Sequence, residues 1–208
     1  MCTRKHPEPG RTVAATERDD LTMASCFSHP AVPLALACWL PSMRKPSLLV
    51  TACLLSAAPD LDAIGYFLSV PYDAWCGHRG CTHSLLFALS VAVLVTLPLA
   101  RRLVLPPHHV LLFLFAAMAS HGLVDMATNG GLGIAVLWPI VDWRLFWPIR
   151  PIEVAPLGIS AFFSARGLDV LASEAVYLWL PAGVFGALGL WLRRGAPSPT
   201  TEPSDRPR

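Results

Sequence analysis

Charge is scarce in this chain. Only 14% of its 208 residues are charged, where soluble domains carry about 25%. Hydrophobic residues make up 54%, and mean hydropathy is +0.51. That balance excludes an ordinary soluble domain and predicts a polytopic membrane protein, built as one compact unit. The net charge is only +2 and no basic cluster is present, so direct nucleic-acid binding is not expected. Several motifs are missing. There is no Gly-rich phosphate loop of the Walker type, no Gly-x-Ser-x-Gly elbow and no His-Glu-x-x-His pair. Nothing in the chain supports a serine triad, and no internal repeat is present.

The two ends lack apolar character. Residues 1–22 set Arg4, Lys5, Arg11 and Arg18 against Glu8, Glu17, Asp19 and Asp20, without the apolar core of a signal peptide. They read as a disordered tail or as an over-extended start, with Met23 as the natural first residue. Residues 195–208, rich in Pro, Ser and Thr, read as a disordered C-terminal tail. The expected membrane-embedded domain is 23–194. Of the six cysteines, Cys38 and Cys53 lie in apolar runs and read as small core residues. Cys76 and Cys81 flank His78, which leaves open a Cys/His zinc site or, on an extracytoplasmic loop, a disulfide.

The fold class is all-α: a membrane helical bundle of four to five apolar segments. They cover residues 30–40, 47–68, 84–100, 109–127 and 174–192. The first is too short to span alone, since a span needs about 20 residues. The second contains Pro59, which predicts a kink or an end there. The stretch 131–141 is apolar but too short to span, and reads as re-entrant or surface-lying. Tyr66, Tyr72, Trp75, Trp138, Trp143 and Trp147 read first as an interfacial belt and second as a substrate cage.

Against this background stand His29, Asp60, Asp62, His78, His83, His121 and Asp125, all beside or inside apolar segments. Ionisable groups next to lipid are costly, and their default reading is functional. Imidazole and carboxylate together are the ligand set of metals such as Zn and Mn. Threading the segments as alternating spans puts Arg44-Lys45, Arg101-Arg102 and Arg193-Arg194 on one side. The same threading gathers every one of the His and Asp candidates at the opposite face. The basic pairs mark a cytoplasmic side, so the site is expected at the extracytoplasmic face, although Arg79, Arg144, Arg150 and Arg166 lie on the site side.

Individual residues carry distinct expectations. His121 and Asp125, at i and i+4 on a helix, share a face about 6 Å apart at Cβ. That spacing suits one metal or a hydrogen-bonded pair that packs the bundle. Asp60 and Asp62 do not share a face on a regular helix, but converge on a turn. One then ligates while the other orients a histidine or acts as a base. His78 and His83 bracket a Gly-containing turn into the third segment, with Thr82 or Ser84 as helix cap. The helix N-terminus and Arg79 would suit an anionic group beside a metal. His29 joins the set because its end of the first segment lies on the site side. His6, His108 and His109 do not.

The elements Pro59-Asp60-Leu61-Asp62, His78-Arg79-Gly80-Cys81-Thr82-His83-Ser84 and His121-x-x-x-Asp125, with His29, resemble those of the YdjM-type family. The resemblance runs from about Met23 to Trp147, and Trp138-Pro139 resembles a further element of that family. Members are described as inner-membrane metal-dependent hydrolases, also called LexA-binding inner-membrane proteins. The resemblance implies a bacterial inner-membrane protein with a metal site. The likeness of such His/Asp sets to zinc phospholipases C points, by analogy, to phosphoesters.

The leading expectation is a membrane metal-dependent hydrolase using one or two divalent ions, Zn or Mn. Its ligands are His29, Asp60, His78, His83, His121 and Asp125. Asp62 is expected to be an orienting residue or general base, and Arg79 to meet an anionic lipid or phosphoester substrate. A second reading is a non-catalytic regulatory or scaffold protein with a structural metal. A third, a metal or proton transporter, fits less well, because the candidates gather at one face and do not line a path through the bilayer.

Overall fold

The computed structural model describes residues 22–23, 27–156 and 164–194. The two tails expected at 1–22 and 195–208 lie outside them, Thr22 excepted. A short helix, α1 (Ala31–Trp39), opens after Pro30. Its nine residues extend only about 14 Å, so it enters the bundle without crossing a bilayer. Then α2 (Pro46–Ala57) begins on Pro46, whose missing N–H is harmless in a first turn. It gives way at Ala58–Ala63 to a 3-10 turn that contains Pro59, and a last turn, α3 (Ile64–Phe67), follows. The kink expected at Pro59 is therefore a change of helix type, and it rotates Asp60 and Asp62 off a regular helical face.

Helix α4 (Leu85–Leu103) is capped by Ser84, whose Oγ accepts the Phe87 N–H at 3.1 Å. It stops at Val104, which adopts a left-handed conformation (φ 54°). Helix α5 (Pro107–Asp125) starts on Pro107, so α4 and α5 form an antiparallel hairpin. Helix α6 (Ala165–Glu174) runs through a π turn at Ala175–Trp179 into α7 (Leu180–Arg194). This last stretch starts well before residue 174, where hydropathy alone begins it, because Arg166, Asp169 and Ser173 dilute the signal of its first turns. Among the described residues, four helical stretches are long and apolar enough to cross a membrane: Pro46–Phe67, Leu85–Leu103, Pro107–Asp125 and Ala165–Arg194.

Helix α5 is the centre of the bundle, packed against α2 and α4. Of its span 50% is buried, against 22% or less in the others, so residues on α5 are the ones removed from lipid. The contacts around it use small side chains, with Ala52, Ala88, Ala92, Ala100 and Ala117 all buried. Small residues let backbones approach where apolar burial gives no advantage over lipid. Helix α1 lies along α7, fixed by the Trp39 indole N–H donating to the Phe185 carbonyl at 2.9 Å. Gly189 makes this approach possible, since a Cβ there would stand 2.7 Å from the Trp39 ring.

At the end away from the His and Asp residues, basic side chains close helix C-termini. Arg44 Nε donates to the Ala37 carbonyl at 2.8 Å and Lys45 Nζ to the Leu103 carbonyl at 2.5 Å, satisfying orphan acceptors of α1 and α4. Arg101-Arg102 and Arg193-Arg194 occupy the last turns of α4 and α7. The threading drawn from the basic pairs is thus the observed one.

Residues 126–152 fold back over the other end. Ile134 and Leu145 exchange backbone hydrogen bonds of 2.9 Å each. Ala135 N–H donates to the Arg79 carbonyl at 3.1 Å, and Leu85 N–H to the Val136 carbonyl at 3.0 Å. The apolar stretch 131–141 is therefore a lining on the His78–His83 turn and the start of α4. The Trp75 and Trp138 rings stack at 5.5 Å. One two-residue strand pair, Thr22–Met23 with Ala155–Pro156, runs antiparallel with Met23 opposite Ala155.

Candidate metal centre

Four elements bring the donors together. The turn before α1 supplies His29, and the 3-10 turn after α2 supplies Asp60 and Asp62. The turn before α4 supplies His78 and His83, and the last turns of α5 supply His121 and Asp125. Asp60, His83, His121 and Asp125 each offer an atom within 4.8 Å of the others. His29 stands at the rim of this set, its Nε2 3.8 Å from Asp60 Oδ2 and 3.6 Å from Asp125 Oδ1. Its ring stacks on that of His121 at 3.7 Å. His29, His121 and Asp125 are wholly inaccessible, His83 is 4% exposed and Asp60, at 8%, is the most open.

The imidazoles are oriented from behind. His121 Nδ1 lies 2.8 Å from the Ser56 carbonyl, an acceptor, so Nδ1 carries a proton and Nε2 is the nitrogen turned to the site. His83 Nδ1 lies 3.2 Å from Asp62 Oδ2, which fixes the same tautomer. Burial pushes the His83 imidazole below its ordinary value, which favours the neutral ring. The two Nε2 atoms then face each other at 3.0 Å. Lone pairs so close repel unless a proton or a cation lies between them. Burial, reinforced by nearby His121, takes the His29 ring down to about 4, so it too is a neutral donor.

The carboxylates of Asp60 and Asp125 are aimed into the same space. Among the described residues, neither oxygen of either group has a hydrogen-bond partner, and neither ring nitrogen of His29 has one. Buried polar groups in folded proteins are almost always satisfied, and unpaired buried carboxylates are costly. Imidazoles and carboxylates converging in this way could hold a metal ion.

Asp62 is different. Its carboxylate meets His78 Nδ1 at 2.5 Å, the Thr82 hydroxyl at 2.5 Å, the Arg79 backbone N–H at 3.3 Å and His83 Nδ1 at 3.2 Å. It is saturated, and it orients the turn that delivers His83. His78 stands behind Asp62, its Nε2 buried without a partner. With Asp62 and His83 it forms a second His/Asp group of metal-binding spacing. Arg79 is fully buried at φ 63°. Its Nε is 3.3 Å from Asp125 Oδ2, and its Nη1 donates to the Gly130 carbonyl at 2.7 Å. Cys76 and Cys81 are free thiols.

Some contributors carry no signal in the sequence. The Ser56 carbonyl acts through backbone alone. Arg144 donates to the carbonyls of His78, Tyr72 and Ala74 at 2.9–3.1 Å, bracing the histidine turn from the far loop. Gly122, beside His121, lets α5 close on that turn, for a Cβ there would stand 2.7 Å from the His83 carbonyl.

Comparison with known proteins identifies the family. Residues 23–195 match the family model described as YdjM inner membrane protein. The chain is 36% identical over 173 residues to the inner membrane protein YbcI of Escherichia coli (strain K12), covering 83% of this chain and all of that protein. No solved structure matches. With four apolar spans and a buried His/Asp cluster at one end, the chain belongs to the YdjM family of inner membrane proteins.

Proposed function

We propose that the chain is a membrane-embedded metal-dependent hydrolase acting on a phosphoester or lipid-linked substrate. The observation that carries this reading is the convergence of unpartnered donors from Asp60, Asp125 and His29 on the facing Nε2 atoms of His83 and His121. Asp60, His83, His121 and Asp125 would hold a divalent ion, with His29 completing the set. A bound ion of this kind polarises a phosphoryl or acyl oxygen and lowers the pKa of coordinated water to about 7.

The protein's own residues supply the rest. Asp62 and the Ser56 carbonyl hold His83 and His121 in the tautomer that presents Nε2. Arg79 sets its guanidinium on Asp125, offsets the negative charge of two buried carboxylates, and lies where an anionic group near the ion would meet it. Asp60 marks the way in, being the most accessible of the ligand atoms. The basic pairs, read as the cytoplasmic side, favour a site at the extracytoplasmic face.

One observation favours a second reading. His29, His121 and Asp125 are completely enclosed, as donors of a structural site are, so a scaffold protein with a structural ion is the alternative. Turnover decides between them. The metal-loaded, detergent-purified protein is expected to hydrolyse at least one member of a phospholipid and phosphomonoester panel. Chelation or His121→Ala should abolish that activity. A fully loaded protein inert to the whole panel would favour the structural site.

A further inference from the structure

His29 differs from the other two imidazoles in how it is held. His83 and His121 are each fixed through Nδ1, by Asp62 and by the Ser56 carbonyl. Among the described residues, His29 has no hydrogen bond at either ring nitrogen. It also sits in a turn, before the first residue of α1, and not on a long helix. Stacking on His121 orients its plane, but its depth in the site must come from its backbone.

The neighbouring residue supplies that anchor. Ser28 is 2% exposed, and its hydroxyl donates to Glu174 Oε2 at 2.6 Å. The Ser28 hydroxyl oxygen in turn accepts the Trp179 indole N–H at 3.2 Å. Glu174 is 1% exposed and closes α6, and the π turn begins at the next residue, Ala175. A buried carboxylate inside a membrane span is expensive and marks function by default, and π turns in helices concentrate at functional sites. The Ser28 carbonyl also accepts the Ala31 N–H at 3.1 Å, which ties the clasp to the first turn of α1.

We infer that Glu174 is a positioning residue that holds His29 in the metal centre through Ser28, coupling the last membrane span to the site. The inference rests on the metal-centre reading above. It assigns a role to two residues, Ser28 and Glu174, that lie outside the His/Asp set.

The test is a double-mutant cycle on Zn affinity in the detergent-purified full chain, with the Co(II)-substituted absorption spectrum as second readout. Glu174→Ala and Ser28→Ala should each weaken Zn binding about 10-fold, the scale of losing an outer-shell partner, and shift the Co(II) bands. Glu174→Gln keeps an acceptor oxygen for Ser28 and should restore most of the affinity. In a His29→Ala background, Ser28→Ala and Glu174→Ala should cause no further loss. Unchanged affinity and spectrum in Ser28→Ala, or an equal loss with and without His29, would overturn the inference. Should Glu174→Ala fail to fold, Ser28→Ala and Glu174→Gln carry the same decision. A wild-type protein that takes up neither Zn nor Co(II) would instead overturn the metal centre itself.

Discussion

The two faces of the His83 ring look onto two carboxylate pockets that could hardly differ more. On the Nδ1 side, Asp62 is met by the His78 ring, the Thr82 hydroxyl, the Arg79 backbone and His83 itself. On the Nε2 side, Asp60 and Asp125 have no hydrogen-bond partner among the described residues, and two imidazole nitrogens face each other at 3.0 Å. Asp60 and Asp62 are two residues apart in one 3-10 turn, which points them to different neighbours. The first pocket is complete as protein. The second is left with donors that a cation could satisfy. An unmet carboxylate beside a met one therefore separates ligand from support more sharply than residue type does.

The contrast is broken most severely from the open pocket. His121→Ala or Asp125→Asn should reduce metal affinity by more than about 100-fold, beyond the range of outer-shell changes. Metal titration of the folded variants checks this, and retention of wild-type affinity would show that these groups are not ligands. Asp62→Asn should act more mildly. It keeps one acceptor oxygen and the shape of the turn, so affinity should fall about 10- to 100-fold with stoichiometry preserved. Loss of stoichiometry would make Asp62 a ligand and erase the distinction between the pockets.

Smaller effects are expected farther out. Gly131 sits at φ 78°, and a Cβ there would stand 2.5 Å from the Tyr72 hydroxyl and 2.9 Å from Arg79 Nη1. Gly131→Ala should cost about 1–2 kcal/mol through the left-handed backbone alone. It should also displace Arg79 from Asp125. A lowered thermal midpoint in detergent, with weakened metal binding, is the expected result. Last comes Glu153, which accepts from Asn129 and Arg166 at 2.6 Å each. Hydrogen bonding by Asn129 holds its carboxyl below the ordinary value. Its contribution is therefore present at neutral pH and lost as pH falls through the acidic range. Glu153→Gln should change stability by less than about 1 kcal/mol, and only above that range. Unfolding compared at neutral and acidic pH measures it.

The sequence makes the collection of the site legible, but not its internal division of labour. Alternation of spans and the placement of basic pairs are topological facts, and they bring His29, Asp60, His83, His121 and Asp125 to one end as expected. Pro59 likewise announces the turn, on which Asp60 faces His121 while Asp62 meets His78 and Thr82. Which aspartate ligates is not legible, because it depends on donors from the 78–83 turn that meet Asp62 only in three dimensions. Thr82 reads equally well as a helix cap, yet Ser84 caps α4 while Thr82 serves Asp62. Arg79 reads as a partner for an anionic substrate group, and residue identity does not reveal its burial against Asp125. Backbone acceptors such as the Ser56 carbonyl leave no trace in residue identity. Glu174 lies where hydropathy begins the last span, so it reads as that span's polar boundary, although the helix continues for another nine residues before it.

The central claim is that the pocket between Asp60, His83, His121 and Asp125 binds a divalent ion. Elemental analysis of the detergent-purified protein, beside folded Asp60→Asn and His121→Ala variants, tests it most directly. The account predicts stoichiometric Zn or Mn in the wild type and its loss in both variants. A wild-type protein that remains metal-free after reconstitution with Zn, Mn, Mg and Fe would contradict it.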